Sequence, residues 1–457
     1  MNKLIFSYLS YKIWQVLPIG KVRIIPFFRL QSAVRMKARL LAVLLITCPL
    51  AAHAQSGELQ RLYVKAIEAQ QQGDNARFYD LIMQAHAIHP YHQGILYQAG
   101  IAAALNNKKE EAIRYLKEAI LIQADFTLYI PELQSLKQEP AFQQLLQLQK
   151  DASRPIVQSD TAFILKDRSL HPESITSEAK EGVFYLGSIH KRKIVKVDHG
   201  KVQELTQEGQ DGLGSVFGIK TDKKNGVLWV STSPMQEMKN FNALLPSAVF
   251  KYDLKTGRLL KKFLPENPAL ELVLGDLTLS PSGEVYTSDS KNNLIFRVNE
   301  STGKLEQVYS SEEFSNIQGI TFSDNGQYLF IADYIKGIFR LEVATFHLIL
   351  LPRSIDASLK GIDGLTFYNN SLIAIQNGVK PMRVTRYILN KEMDRLISFS
   401  ILDRGHPAFG EPTSGCVSQD AFYYVANSQW NGYTEDHQIK PEGSLQDIVI
   451  LKQSLDR

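Results

Sequence analysis

The chain contains two cysteines in 457 residues, Cys48 and Cys416. Cys48 lies in a segment that reads as a cleaved leader, so a single thiol remains and no intrachain disulfide can form. Several signatures of enzyme classes are missing as well. There is no Gly-x-Ser-x-Gly, no phosphate-binding loop, no His-Glu-x-x-His and no cysteine cluster, which removes the usual forms of elbow-serine, nucleotide and thiolate-metal chemistry. No apolar run reaches the roughly 20 residues that a bilayer-spanning helix needs. A dominant charge sign is also lacking. The formal balance is +4, but residues 1–54 hold eight Lys/Arg and no Asp or Glu, which leaves 43 basic against 47 acidic residues beyond them. That balance gives no basic footprint for nucleic acid.

What is present begins at Met36. Met36-Lys37-Ala38-Arg39 is a basic start, Leu40 to Leu50 is a short apolar run, and Ala52-His53-Ala54 is a small-residue cleavage site. This predicts a signal peptide over 36–54, cut after Ala54, and a periplasmic or secreted protein with no stable membrane span after cleavage. An uncleaved anchor or a buried helix is the other reading. A lipoprotein reading through Cys48 meets Thr47 where Gly or Ala is usual. Residues 1–35 read as an extended start, with Met36 as the initiator.

Residues 55–150 read as helix. Ala85 and Ala119 recur at a period of 34, as do Gly73 and Asn107 at turns. Leu96, Ala99, Gly100, Ala112 and Leu116 supply small and apolar residues for close helix pairing. The first copy ends at Pro90, and Phe142-Gln143-Gln144-Leu145-Leu146 forms a degenerate third piece. This resembles the tetratricopeptide pattern. It implies either a peptide-binding groove for a protein partner or a structural or dimerising appendage. His86, His89 and His92 have spacings of surface residues, not of ligands.

After a linker at 151–161 the pattern turns to alternation. A unit recurs six times, its starts 42 to 59 residues apart. Each opens with a short apolar strand, as in Glu173-Ser174-Ile175-Thr176, Phe217-Gly218-Ile219-Lys220, Gln318-Gly319-Ile320-Thr321 and Asp363-Gly364-Leu365-Thr366. The expected fold is mainly β: a six-bladed β-propeller over 162–457, preceded by a small all-α helical-repeat domain. The last unit has three strands, and Ala162-Phe163-Ile164-Leu165 is expected to supply its fourth and fasten the ring. Each second strand ends on a short polar residue: Ser188, Thr232, Asp289, Asp333, Asn377 and Asn427. Such a residue is a turn device or, for Asn377 and Asn427, a ligand contact at the channel mouth.

The start of each first strand faces the central channel in this architecture. Glu173, Gln318 and Asp363 stand there, with Asp276 displaced by one position. Charged groups on the axis need a partner or a metal, and an all-oxygen set suits Ca²⁺ or a similar divalent cation. The other reading is a water-filled polar channel. His406 and Glu411, flanking Gly410, lie in the loop before the sixth unit, within reach of the mouth.

The segments His171-Pro172-Glu173-Ser174, Gly275-Asp276-Leu277-Thr278-Leu279-Ser280-Pro281-Ser282-Gly283, Asn316-Ile317-Gln318-Gly319-Ile320 and Ile362-Asp363-Gly364-Leu365 resemble the gluconolactonase, senescence-marker and luciferin-regenerating-enzyme family of six-bladed propellers. The resemblance covers about 280 residues. It implies metal ligands at Glu173, Gln318 and Asp363, with Asp276 near substrate and Asp363 or Asp276 as ligand or general base. Gln318 replaces the family's Asn, and Gly275 replaces a substrate-contacting Asn. The resemblance therefore implies a metal-dependent lactonase or esterase. The alternative is a non-catalytic binding or scaffold protein using propeller and helical repeats. Either reading calls for a small-molecule ligand or substrate.

Overall fold

The computed structural model describes residues 57–267 and 270–455. The signal-peptide reading over 36–54 lies outside them. No described helix is long and apolar enough to cross a membrane. The described residues divide into two compact units, on either side of a boundary between Asp151 and Ala152.

The first unit is helical. Helix α1 spans 57–71. It is followed by α2 (Asn75–Ile88), α3 (Gln93–Leu105), α4 (Lys109–Ile122), a 3₁₀ turn at Pro131–Leu136 and α5 (Pro140–Ser153). The recurring small residues do what close pairing requires. Ala85, Ala99, Ala112 and Ala119 are fully buried. A Cβ on Gly100 would meet the Leu116 side chain at 2.5 Å and the Ala112 carbonyl at 3.2 Å. His92 is a helix cap, accepting the Ile95 amide on Nδ1 at 3.3 Å.

The second unit is mainly β, with a propeller-like arrangement. Among its described residues, 24 strands fall into five hydrogen-bonded sheets, four of four strands and one of eight. The first sheet comprises β2 (Pro172–Ser177), β3 (Val183–Ser188), β4 (Ile194–Asp198) and β5 (Lys201–Glu204). The eight-stranded sheet joins two antiparallel meanders, β6 (Ser215–Asp222) to β9 (Leu259–Pro265) and β10 (Leu274–Leu279) to β13 (Lys304–Ser310). Between these lie β7 (Val227–Ser233), β8 (Ala248–Asp253), β11 (Val285–Asp289) and β12 (Leu294–Asn299). Their outer strands pair in parallel at Lys304–Leu264 and Leu305–Pro265. The six repeating units therefore do not form six separate sheets. Next come β14 (Ile317–Phe322) to β17 (Leu348–Leu350), with β15 (Tyr328–Asp333) and β16 (Gly337–Glu342) between, and β18 (Ile362–Tyr368) to β21 (Leu396–Arg404), with β19 (Ser371–Gln376) and β20 (Arg383–Leu389) between. The last sheet has the order β1 (Asp160–Leu165), β24 (Ile448–Ser454), β23 (Ala421–Val425), β22 (Gly415–Ser418).

The first strands of successive meanders touch in cyclic order: β2, β6, β10, β14, β18, β22 and back to β2. Apolar clusters fill the space between neighbouring sheets, as where Tyr185 and Ile194 meet Leu228, Val230 and Phe250. Glycine lets the inner backbones approach. A Cβ on Gly319 would lie 2.6 Å from the Asp363 carbonyl and the Leu365 amide, and one on Gly364 would lie 2.3 Å from the Thr413 carbonyl. The circle is joined where β1 pairs antiparallel with β24, Phe163 opposite Ile450 and Leu165 opposite Ile448. Buried Asp403 anchors the lead-in: its Oδ1 accepts the Gln158 and Ser159 amides at 2.9 and 3.2 Å, and its Oδ2 accepts the Tyr424 hydroxyl at 2.9 Å.

Candidate functional site

Five of the six inner strands are interrupted at the same place. The register shifts between Pro172 and Ser174 in β2, Val216 and Gly218 in β6, Leu274 and Leu277 in β10, Ile317 and Ile320 in β14, and Ile362 and Gly364 in β18. A bulge leaves its extra residue out of the ladder and re-aims its side chain. The residues so placed include Glu173, Phe217, Gly275 with Asp276, Gln318 and Asp363.

Glu173, Asp363 and Glu411 form an interacting acidic group. Burial pushes the Glu173 carboxyl well above its usual range, and the charges of Asp363 and Glu411 push it further. The hydrogen bond from Trp430 opposes this, its Nε1 donating to Glu173 Oε2 at 3.0 Å. Burial raises Asp363 to about 7, against the hydrogen bond from Asn377 and with the help of Asp276. Glu411 is raised to about 8 by burial and by Asp363. Each keeps some solvent contact, being half-buried. Glu411 also carries a φ of 126°, a strained value for a residue with a side chain.

Asn377 joins this group. Its Nδ2 donates to Asp363 Oδ2 at 2.6 Å, and its Oδ1 accepts the Tyr334 hydroxyl at 3.0 Å. Its place differs from the repeat seen in sequence. Gln376 holds the register position of Ser188, Thr232, Asp289 and Asp333, opposite Ile362. Gln376 also does their local work, donating to the Ser358 and Lys360 carbonyls at 3.0 and 2.8 Å. Asn377, one residue on, is released toward Asp363. Asn427 is a backbone anchor instead: its amide donates to the Asp447 carbonyl at 2.9 Å and accepts the Val449 amide at 2.8 Å. That occupies both ends of the side chain expected to meet a ligand.

Asp276 is likewise engaged. Its Oδ1 accepts the Leu277 amide at 2.8 Å and its Oδ2 accepts the Ile320 amide at 3.1 Å, tying β10 to β14. Burial still raises its pKa, against Lys220 and these two amides. Gln318 donates its Nε2 to Asn316 Oδ1. Among the described residues, no three His, Cys, Asp or Glu side chains are grouped as a metal would require. His406 folds back on its own loop, accepting the Ala408 amide on Nδ1 at 3.0 Å.

Trp430 and Tyr334 were missed in sequence because nothing in the repeat marks the loops that carry them. No protein-family model and no curated protein sequence matches the chain. Among solved structures, it is similar to virginiamycin B lyase from Staphylococcus aureus, in an inactive form with quinupristin, at 15% identity and TM-score 0.42, covering 60% of this chain and 78% of that one. It is also similar to the PQQ-bound aldose sugar dehydrogenase from Streptomyces coelicolor, at 13% identity and TM-score 0.44, covering 66% and 98%. Chemistry does not transfer at such distances.

Proposed function

We propose that residues 152–455 form a six-bladed propeller whose carboxylate mouth hydrolyses a small ester or lactone with the help of a divalent cation. The observation that carries this reading is the half-buried acidic group of Glu173, Asp363 and Glu411, each carboxyl raised by burial and by a neighbouring carboxylate. Such a group either holds protons or takes up a positive ligand. Glu173, Asp363 and the carbonyl oxygen of Gln318 would hold the cation. The Gln318–Asn316 hydrogen bond uses the amide nitrogen and leaves that oxygen for it. These are hard oxygen donors without His or Cys, which favours Ca²⁺ over Zn²⁺. A bound cation would supply positive charge to polarise the substrate carbonyl. Glu411, at about 8, is a carboxyl able to hold and release a proton near neutral pH. Export, to the periplasm or the exterior, and a tetratricopeptide-like role for the helical unit in protein contacts belong to the same proposal.

A second reading, a non-catalytic binding protein, is favoured by Asp276, whose two oxygens are both occupied by backbone amides. Calorimetric Ca²⁺ titration of chelator-treated protein, followed by a panel of lactones and aryl esters, separates the readings. Binding lost in Asp363→Asn together with turnover supports hydrolysis; binding without turnover on any ester supports the second reading. No heat and no melting shift with millimolar Ca²⁺, Mg²⁺ or Mn²⁺ overturns the cation site.

A further inference from the structure

Six loops follow the second strands, on the same side of the ring as the bulges. Four are short, three to six residues: 189–193, 290–293, 334–336 and 377–382. Two are long, 234–247 after β7 and 426–447 after β23. The long pair belong to sheets that are not neighbours, since β2 lies between β22 and β6 in the circle. Yet they meet: His437 Nδ1 is hydrogen-bonded to Glu237 Oε1.

The path of 426–447 explains how. At its base Gln429 Nε2 donates to the Gln446 carbonyl at 2.9 Å, and Gln429 Oε1 accepts the Gln446 amide at 2.7 Å. Trp430 then stands edge-to-face with His171, ring centroids 4.5 Å apart, and donates to Glu173. Tyr433 shares a 2.6 Å hydrogen bond between its hydroxyl and His171 Nδ1. The loop ends its crossing at His437, on Glu237. The 234–247 loop is in turn fixed to the intervening sheet, where the Glu237 carbonyl meets His190 Nδ1 at 2.7 Å and Lys239 N donates to the His190 carbonyl at 2.8 Å. Glu237 is 1% exposed. A carboxylate buried to that degree on a loop is costly to leave without its hydrogen bond, so this contact fixes where the loop can lie.

We infer that Glu237 and His437 are positioning residues, a clasp that holds the 426–447 strap across the β2 sheet and so seats Trp430 on Glu173. One wall of the mouth is thus set by the meeting of two loops, not by the inner strands. This goes beyond the hydrolase reading and stands whether the mouth catalyses or only binds.

The test needs neither metal nor substrate. The full chain has three tryptophans, Trp14, Trp229 and Trp430. Fluorotryptophan labelling gives one ¹⁹F resonance per indole, and Trp430→Phe assigns that of Trp430. The readout is its shift between H₂O and D₂O, which reports exposure of the ring. His437→Phe keeps ring volume without a nitrogen, and His437→Ala removes both. Both should raise the Trp430 isotope shift severalfold while the buried Trp229 resonance stays in place, showing the fold intact. His437→Asn, whose amide nitrogen replaces Nδ1, should retain the parental value. Should His437→Ala lose the Trp229 signal, His437→Phe decides. A parental Trp430 shift in His437→Phe, with Trp229 unmoved, overturns the clasp.

Discussion

Asn377 donates Nδ2 to Asp363 Oδ2 at 2.6 Å, and Tyr334 fixes which way that amide faces by donating to its Oδ1 at 3.0 Å. The hydrogen bond stabilises the ionised form of Asp363 against its burial. Removing the donor in Asn377→Ala should therefore move the Asp363 titration above its value of about 7. Tyr334→Phe should move it the same way by less, because the amide stays but loses its orientation. Carboxyl ¹³C shifts followed over pH read this directly, and a downward movement in Asn377→Ala would refute the assignment.

The raised carboxyls also set a pH dependence of stability. Asp363 and Glu411 rise from ordinary values of 3.8 and 4.5 to about 7 and about 8. Between about pH 4 and 8 the folded chain thus binds more protons than the unfolded one, and stability falls as pH rises through that window. Each pKa unit corresponds to about 1.4 kcal/mol, and mutual coupling makes the sum smaller than its parts. Glu411→Gln cannot ionise. Measured with chelator present, it should gain on the parent progressively from pH 5 to 9, by roughly 1–3 kcal/mol at the alkaline end. A difference that does not vary with pH would mean Glu411 is not held protonated.

Gly319 tests how the inner strands pack. Gly319→Ala puts a methyl 2.6 Å from the backbone of Asp363 and Leu365, atoms that cannot move aside as a side chain can. The expected cost is on the order of 2–4 kcal/mol, with displacement of Asp363. Gly443→Ala meets nothing within 4 Å and serves as the control. Equal denaturation midpoints for the two would show that the inner strands are not in backbone contact there.

The repeat was legible because alternation and spacing are local: the starts at Glu173, Gln318 and Asp363 and the unpaired strand at Ala162–Leu165 all follow from reading along the chain. Non-local pairing was not. Nothing around Leu264 or Lys304 announces that β9 and β13 would join two meanders, since that contact depends on how their edges converge. The site was half legible. Asp363 stood out by its place in the unit, whereas Gln376 and Asn377 are adjacent polar residues, and only the register shows which one the turn consumes. Glu411 was noticed beside Gly410 but had no sequence partner to give it a role. Trp430 lies in an excursion outside the repeat and meets Glu173 only through the ring's closure.

That closure has a buried polar centre. Asp403 on β21 receives the Gln158 and Ser159 amides, the Ser159 hydroxyl and the Tyr424 hydroxyl. It binds the segment leading into β1 to the sheet on one side and to β23 on the other. Asp403→Ala leaves the Gln158 and Ser159 amides without their acceptor, while the buried Ser159 and Tyr424 hydroxyls fall back on Gln453 Oε1 at 3.2 Å and Ser159 Oγ at 3.3 Å. Unmet buried donors cost about 1–3 kcal/mol each, part of which water entering the cavity recovers. The variant should lose on the order of 3–5 kcal/mol, most of it through release of β1 from β24. Hydrogen exchange locates the loss. Amides of β1 and β24 should exchange much faster in Asp403→Ala, while those of β14 and β15, across the ring, keep their protection until global unfolding. A uniform acceleration through all six meanders would mean the ring opens as one unit, with β1 a strand like the others. Parental exchange in β1 would mean that strand pairing alone fastens it.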